Sequence, residues 1–420
     1  MDCRICKGKL EAFLDLGQQP LANGFLLKEE FENEKFHHLT CARCDSCKMV
    51  QLGESPAPSE LFHSEYPFMS STSKMMARHF FEFSEEVLGR FQVQKEPIVV
   101  LEIGCNDGTL LSYFNHEGVQ CVGVEPVEYL ANQAKNRGLE IYSDFFNESL
   151  SVGLEKKYGK FDLIIATNVF CHIPDLNSLF SSLIKALSPN GRIFFEDPYW
   201  PDILKLGAFD QIYDEHYYLF SATSVKSLAQ SFGLSLVSCQ KTDVHGGSCR
   251  YELAFGGSIE VAESVDELMK QEEEFGVFDL EAYRNFSKKV EHTKEKFSSL
   301  LSRLVASHEE ICGYGATSKS SVFLNYSHIG ENFIQCIYDN SPLKIGKYSP
   351  GMHLPVRSSE EFLDYRGNYT VLFAWNHALE IIQKEKRYNE RGGKWILFFP
   401  EVRIFDLKKE NLNTIWQTAF

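Results

Sequence analysis

Val99 to Leu111 reads Val-Val-Leu-Glu-Ile-Gly-Cys-Asn-Asp-Gly-Thr-Leu-Leu: an apolar strand, a glycine turn and the opening of a helix. Gly104 and Gly108 lack a Cβ and tolerate positive φ, so the backbone at this turn can come close to a ligand. A second apolar run, Cys121-Val-Gly-Val, ends on Glu125. A carboxylate at the tip of the following strand can accept both hydroxyls of a ribose. The turn is not Gly-x-Gly-x-x-Gly, and it carries Asn106-Asp107. Negative charge there repels a pyrophosphate and suits the sulfonium and amine of S-adenosylmethionine. An ordinary βα turn in an unrelated α/β domain is the competing interpretation, since short motifs recur by chance.

A second constellation lies at the N-terminus, where Cys3-x-x-Cys6 is followed by Cys41-x-x-Cys44-x-x-Cys47. Two Cys-x-x-Cys knuckles predict a tetrahedral zinc site with four thiolates at about 2.3 Å. So short a region has little core of its own, and the metal would supply much of its folding energy. Free or redox-active cysteines are the alternative. Five thiols compete for four positions; Cys44 and Cys47 are taken as the second pair, with Cys41 spare. No acid or base accompanies the cluster, so no chemistry is expected at the metal. The seven remaining cysteines lie in or beside apolar segments and read as reduced, buried thiols of a cytoplasmic protein.

These groups need elements to position them. At 420 residues the chain is too long for one core. Apolar runs at Ile98–Ile103, Cys121–Glu125, Phe161–Thr167 and Gly191–Glu196 alternate with helical stretches and predict parallel strands; Leu234–Lys241 and Cys249–Phe255 suit an antiparallel edge pair. Such alternation implies a doubly wound α/β sheet with ligands at the carboxyl ends of its strands. Residues 259–309 show charged helical periodicity and read as a connector. A second α/β unit follows, with strand, glycine turn and helix expected along Ile311–Lys319 and strands at Phe333–Tyr338, Tyr369–Trp375 and Trp395–Phe399. The expected division is a zinc-binding domain over 1–62, an S-adenosylmethionine-binding domain over 63–257, a helical connector over 258–310 and a C-terminal α/β domain over 311–420. A formal charge of −16 argues against nucleic acid or an anionic membrane as partner. No signal-peptide pattern and no membrane-length apolar run is present.

In this order the chain resembles the sugar C-methyltransferases that build branched deoxysugars, such as the mycarose and tetronitrose enzymes. The resemblance covers nearly the whole chain. It rests on Cys-Arg-Ile-Cys at 3–6, Cys44-Asp-Ser-Cys-Lys-Met-Val-Gln-Leu52, Glu102-Ile-Gly-Cys-Asn-Asp-Gly108 and Asn168-Val-Phe-Cys-His-Ile-Pro-Asp175. Further on come Ile212-Tyr-Asp-Glu-His-Tyr-Tyr218, His245-Gly-Gly-Ser248, Gly313-Tyr-Gly-Ala-Thr-Ser-Lys319 and Pro350-Gly351. The family places its second cysteine pair just before Val-Gln-Leu, which favours Cys44 and Cys47 over Cys41. It usually reads Tyr-His-Glu-His where this chain has Asp214, a departure that bears on substrate preference more than on reaction class.

The resemblance implies a Rossmann-like class I methyltransferase fold and methylation of a nucleotide-linked 4-keto-6-deoxy sugar, dTDP- or another NDP-hexose, at C3 beside the ketone. A base must remove that proton, giving an enolate that attacks the sulfonium methyl. His216 fits the base, and Glu215 beside it would orient or tune the ring. Tyr213, Tyr66 and His172 match family positions lining the same cavity, where they would stabilise the oxyanion; Tyr66 reaches it only if its segment folds over the sheet as a lid. Glu102, Gly104, Asn106, Asp107, Glu125 and Asn168 are expected to bind the cofactor; Phe145 and Phe146 suit either the flanks of the adenine or the core, the more frequent place for aromatics. In the C-terminal unit, Gly315 and Lys319 are expected to hold a diphosphate, and Asp339, Trp375, Asn376 and His377 to contact the sugar or base. The competing functions are oxygen or nitrogen methylation of a sugar nucleotide, or a degenerate sugar-nucleotide-binding scaffold. A monomer is expected.

Overall fold

A computed structural model describes residues 1–64, 66–90, 97–412 and 415. Glu65 and most of the chain beyond residue 412 lie outside the described residues. Three sheets organise the molecule. In the first, β1 (Leu10–Pro20), β2 (Phe36–Cys44) and β3 (Val50–Leu52) form an antiparallel meander.

The central sheet begins with β4 (Ile98–Ile103), β5 (Val119–Val124), β6 (Glu140–Tyr142), β7 (Phe161–Thr167) and β8 (Leu187–Pro198), all parallel. Helices cover both faces, so these strands read as near-continuous apolar runs; Val100, Leu101, Ile164 and Ile165 are wholly buried. The expected strands are present, Ile98–Ile103 and Phe161–Thr167 with the bounds expected and the others with shifted ends. The strand β6 was not anticipated, because three residues carry too little alternation to register. The chain then sends β9 (Tyr218–Leu219) away to the first sheet, where it pairs with β3 through Val50–Leu219 and Gln51–Tyr218. Back in the central sheet, β10 (Leu234–Thr242) and β11 (Ser248–Phe255) complete the edge as an antiparallel pair. The spatial order β10-β11-β8-β7-β4-β5-β6 is that of a Rossmann-like methyltransferase sheet, with the chain reversing direction between β4 and β7. Ligands bind at such a switch point.

The third sheet runs β14-β13-β12-β15-β16-β17, with β12 (Ile311–Tyr314), β13 (Ile337–Asp339), β14 (Val356–Ser358), β15 (Tyr369–Leu372) and β16 (Lys394–Leu397) parallel and β17 (Arg403–Phe405) antiparallel. The strand expected over Phe333–Tyr338 starts only at Ile337, since Gly330 begins a turn that runs through Ile334. The connector does not stand apart. Its long helix Leu280–Ala306 carries Tyr283, Phe286, Val290, Phe297 and Leu301 on one face at helical spacing. Those side chains share a core with Leu14 and Leu16 of β1, with Trp200 and Ile203, and with Phe323 near β12. One apolar cluster thus crosses all of the expected domain boundaries. No described helix is long and apolar enough to cross a membrane.

Candidate active site

At the carboxyl ends of β4, β5 and β7 lies a cavity of about 640 Å³ whose wall draws on the central sheet and on segments that follow strands of the first and third sheets. At the turn after β4, Gly104, Asn106 and Gly108 all adopt positive φ. A Cβ at Gly104 would lie 2.5 Å from Val169, so the glycine is required by the loop after β7 as much as by a ligand. Glu125 holds this turn: one carboxylate oxygen accepts from the Asn106 N–H at 2.8 Å and the other from the Val127 N–H at 2.8 Å. Burial raises its carboxyl to about 7. Glu102 faces the cavity from β4, almost wholly buried, with Oε2 lacking any partner. An orphaned carboxylate oxygen in an acid-lined pocket fits the cationic end of S-adenosylmethionine. Asn106, Asn168, Phe145 and Phe146 also line the wall.

Asp107 behaves differently from the expectation. It is fully buried and is not part of the wall. Its carboxylate accepts from Thr109 Oγ1 at 2.6 Å and from the Ser71 N–H at 3.1 Å, and pairs with Arg137 at 3.4 Å. Asp107 therefore ties the turn to the next helix and to the segment crossing above it. That segment also meets Asn106, whose Oδ1 accepts from the Ser70 N–H at 2.9 Å. Tyr66 lies on it, buried against the cavity, as a covering segment requires.

Past the cofactor turn, His216, Tyr213 and His172 meet in one cluster. The His216 and His172 rings stack at 5.2 Å, and the Tyr213 ring lies 4.0 Å from His216. His216 Nδ1 is 2.7 Å from the Gln211 carbonyl oxygen. A carbonyl only accepts, so the proton sits on Nδ1 and Nε2 keeps its lone pair. Burial, and then the neighbouring His172, lower the His216 pKa well below the ordinary value, so the free ring is neutral. His172 Nε2 is buried without a partner, and burial lowers this ring to about 3. Glu215 makes no hydrogen bond to the His216 ring. It accepts instead from Asn23 Nδ2 at 2.6 Å and from the Tyr66 hydroxyl at 3.3 Å, and burial raises it to about 7. The Gln211 backbone does the orienting that the sequence had suggested for Glu215. Asp214 does not line the cavity; its carboxylate accepts from the Ala22 N–H at 3.2 and 3.3 Å and anchors the loop that carries Asn23.

From the third sheet, Thr317, Ser318, Lys319, Lys344, Asn376 and His377 reach the cavity. Gly315, Asp339 and Trp375 do not. A Cβ at Gly315 would lie 2.5 Å from Ala374. Asp339 holds the turn, accepting from the Ala316 and Ser341 N–H groups at 2.7 Å each. Trp375 is buried behind Lys319, 5.1 Å from its ammonium, and donates to Asp210 at 2.7 Å. Sequence reasoning missed Asn23, Gln211, His245 and Lys344. Gln211 and His245 stand in or beside motifs quoted for the resemblance; Asn23 and Lys344 carry no local signal.

Cys3, Cys6, Cys44 and Cys47 converge at the N-terminus, with Cys3–Cys47 at 3.6 Å and Cys6–Cys44 at 3.4 Å between sulfurs. A tetrahedron of 2.3 Å zinc–sulfur bonds has edges of about 3.8 Å, so the tetrad fits zinc with little adjustment. Cys41 is buried in the sheet core among Leu14, Val50 and Leu52. Gln51 donates to Cys3 Sγ at 3.1 Å and sits opposite Tyr218 in β9. The tetrad is therefore coupled to the strand that starts two residues after His216.

Three family models match the chain: "Putative zinc binding domain" over residues 3–62, "Methyltransferase domain" over 76–239 and "C-methyltransferase C-terminal domain" over 243–400. C-methyltransferase NovU of Streptomyces niveus is 31% identical over 408 residues, 96% of each chain. Ubiquinone biosynthesis O-methyltransferase of Escherichia coli (strain K12 / DH10B) is 26% identical over 100 residues, 23% of this chain and 41% of that one. Among solved structures, magnesium protoporphyrin IX methyltransferase from Synechocystis PCC 6803 aligns over 43% of this chain and 79% of its own, at 14% identity and a TM-score of 0.32. The similarity to NovU spans nearly the whole chain, and on it the chain belongs to the C-methyltransferase family.

Proposed function

We propose that this enzyme methylates a nucleotide-linked 4-keto-6-deoxy sugar at C3, through an enolate, to give a branched-chain deoxysugar. The observation that carries the reading is the His216 imidazole, locked by the Gln211 carbonyl with Nε2 as acceptor, in one cavity with an acidic cofactor end. S-adenosylmethionine supplies, when bound, an electrophilic methyl group on a cationic sulfur. Glu102 and Asn106 orient it, and Glu125 accepts from its ribose. His216 Nε2 takes the proton from the carbon beside the ketone; a positioned base of this kind contributes about 10²–10⁴-fold. The negative charge moves to the ketone oxygen, where Tyr213, Tyr66 and His172 border the cavity; Tyr213 and His172 supply donors, and Tyr66 does so when its hydroxyl turns from Glu215. As the proton arrives, the imidazolium gains its counter-charge from the enolate, which offsets the burial that keeps the free ring neutral. Lys319 with the Thr317–Ser318 turn holds the nucleotide side of the substrate, next to Asn376 and His377.

The tyrosine-bearing segment closes over the cofactor turn and keeps water from both the enolate and the methyl donor. The chain's 12 cysteines are all unpaired, which suits the reducing cytoplasm. Incubation with labelled S-adenosylmethionine and a panel of 4-keto-6-deoxyhexose nucleotides tests the reading. Methyl incorporation should require the ketone, and the label should be carbon-bound. Incorporation into 4-hydroxy sugars, or onto oxygen or nitrogen, would contradict it.

A further inference from the structure

Two ammonium groups line the cavity, those of Lys319 and Lys344, and among the described residues the wall holds no other lysine or arginine. Each is at least nine-tenths buried. Neither forms an ion pair. Lys319 Nζ donates to the His245 carbonyl at 2.9 Å, and Lys344 Nζ to the Ala316 carbonyl at 2.7 Å. An ammonium has three N–H donors, so each retains unused ones. A carbonyl fixes the position of such a group without neutralising it, and a buried cation without an anion is unfavourable. None of the nearby carboxylates is hydrogen-bonded to either ammonium: Asp339 accepts from two backbone N–H groups, Glu215 from Asn23 and Tyr66, and Asp210, whose charge offsets part of that on Lys319, from Trp375 Nε1.

Both lysines meet at one turn. Ala316 is held from two sides, its N–H by Asp339 and its carbonyl by Lys344. Thr317 and Ser318 follow along the cavity wall, and Lys319 lies in the first turn of the helix Ser318–Ser327. Two buried cations with spare N–H donors, one on the turn 316–319 and one reaching it from the segment after β13, match an anion with two negative groups in series. We propose that Lys344, acting with Lys319, seats the diphosphate that joins sugar to nucleoside. This rests on the nucleotide-sugar reading above and adds a second residue and a charge requirement to it.

The test compares a nucleoside diphosphate (thymidine or uridine) with the corresponding nucleoside, by titration calorimetry on the full chain saturated with S-adenosylhomocysteine. The native protein should bind the diphosphate more tightly than the nucleoside, with an affinity that falls as salt rises. Lys344→Gln should weaken the diphosphate roughly tenfold or more, leave the nucleoside unchanged and keep normal cofactor affinity. Diphosphate affinity within twofold of native for Lys344→Gln, alongside a clear loss in Lys319→Gln, overturns the role of Lys344. A native protein that binds neither diphosphate better than its nucleoside overturns the nucleotide-sugar reading itself. Should Lys344→Gln also lose cofactor binding, Lys344→Arg decides: retained charge should keep diphosphate affinity within a few fold, and a tenfold loss with normal cofactor binding contradicts the proposal.

Discussion

Replacing Glu125 by Gln perturbs the cofactor site at a point where the geometry sets the outcome. Each carboxylate oxygen accepts one backbone N–H, from Asn106 and Val127, both at 2.8 Å, and has an acceptor position left for a ribose hydroxyl. An amide offers one oxygen and one NH₂. One of the two backbone N–H groups then faces a donor, and one ribose hydroxyl loses its charged acceptor. A hydrogen bond to a charged group is worth about 1.5–3 kcal/mol, so S-adenosylmethionine should bind roughly 10- to 150-fold more weakly. The orphaned turn N–H costs about 1–3 kcal/mol more, as a lowered melting temperature. The pH dependence sharpens the test. Burial holds the free carboxyl at about 7, and ribose donors favour its ionised form. Native affinity should therefore rise with pH through about 7 and level off above it, whereas the Gln variant, with nothing to titrate there, should show no such step. Calorimetric titrations at pH 6, 7 and 8 measure both effects. A variant within twofold of native at pH 8, with the same pH profile, would refute the placement of the ribose on Glu125.

The metal and acid–base groups give further expectations. Cys6→Ser or Cys44→Ser should lose zinc in metal analysis and lower the melting temperature, while Cys41→Ser should keep the metal. Because β9 pairs with β3 directly after His216, zinc removal by a chelator should depress turnover more than cofactor affinity. Glu215, raised by burial to about 7, accepts two hydrogen bonds that favour its ionised form. The kcat/KM for the sugar should therefore fall on the acid side with a midpoint near 7, and Glu215→Gln should flatten that limb; an unchanged limb would place the controlling group elsewhere.

The parts of this molecule legible in sequence are those whose physics is local. The glycine turn with Asn106, the strand-end Glu125 and the paired cysteine knuckles each declare a geometry within a few residues. An acidic residue in a ligand turn looks the same in sequence whether it faces the ligand or, as Asp107 does, accepts from Thr109, Ser71 and Arg137 behind the turn. Asp339 and Trp375 mislead in the same way: a strand-end residue serves the next turn as readily as a ligand. Glu215 adjoins His216 in sequence, but successive side chains diverge, and the imidazole finds its partner in a carbonyl five residues back. The roles of Asn23 and Lys344 depend on contacts across the whole chain, and no local pattern encodes them. The long helix announced its apolar stripe but not what would cover it, so a connector on paper is a packing centre in space.

The central claim is that His216 removes a proton from carbon before any methyl moves. It is tested by incubating the protein with S-adenosylhomocysteine and a 4-keto-6-deoxyhexose nucleotide in deuterated water, following the C3 hydrogen by NMR. The native protein should exchange that hydrogen for deuterium, and His216→Ala, with normal cofactor and sugar binding, should lose the exchange by two or more orders of magnitude. Exchange at the native rate in His216→Ala, with loss instead in His172→Ala or Tyr213→Phe, would contradict the account.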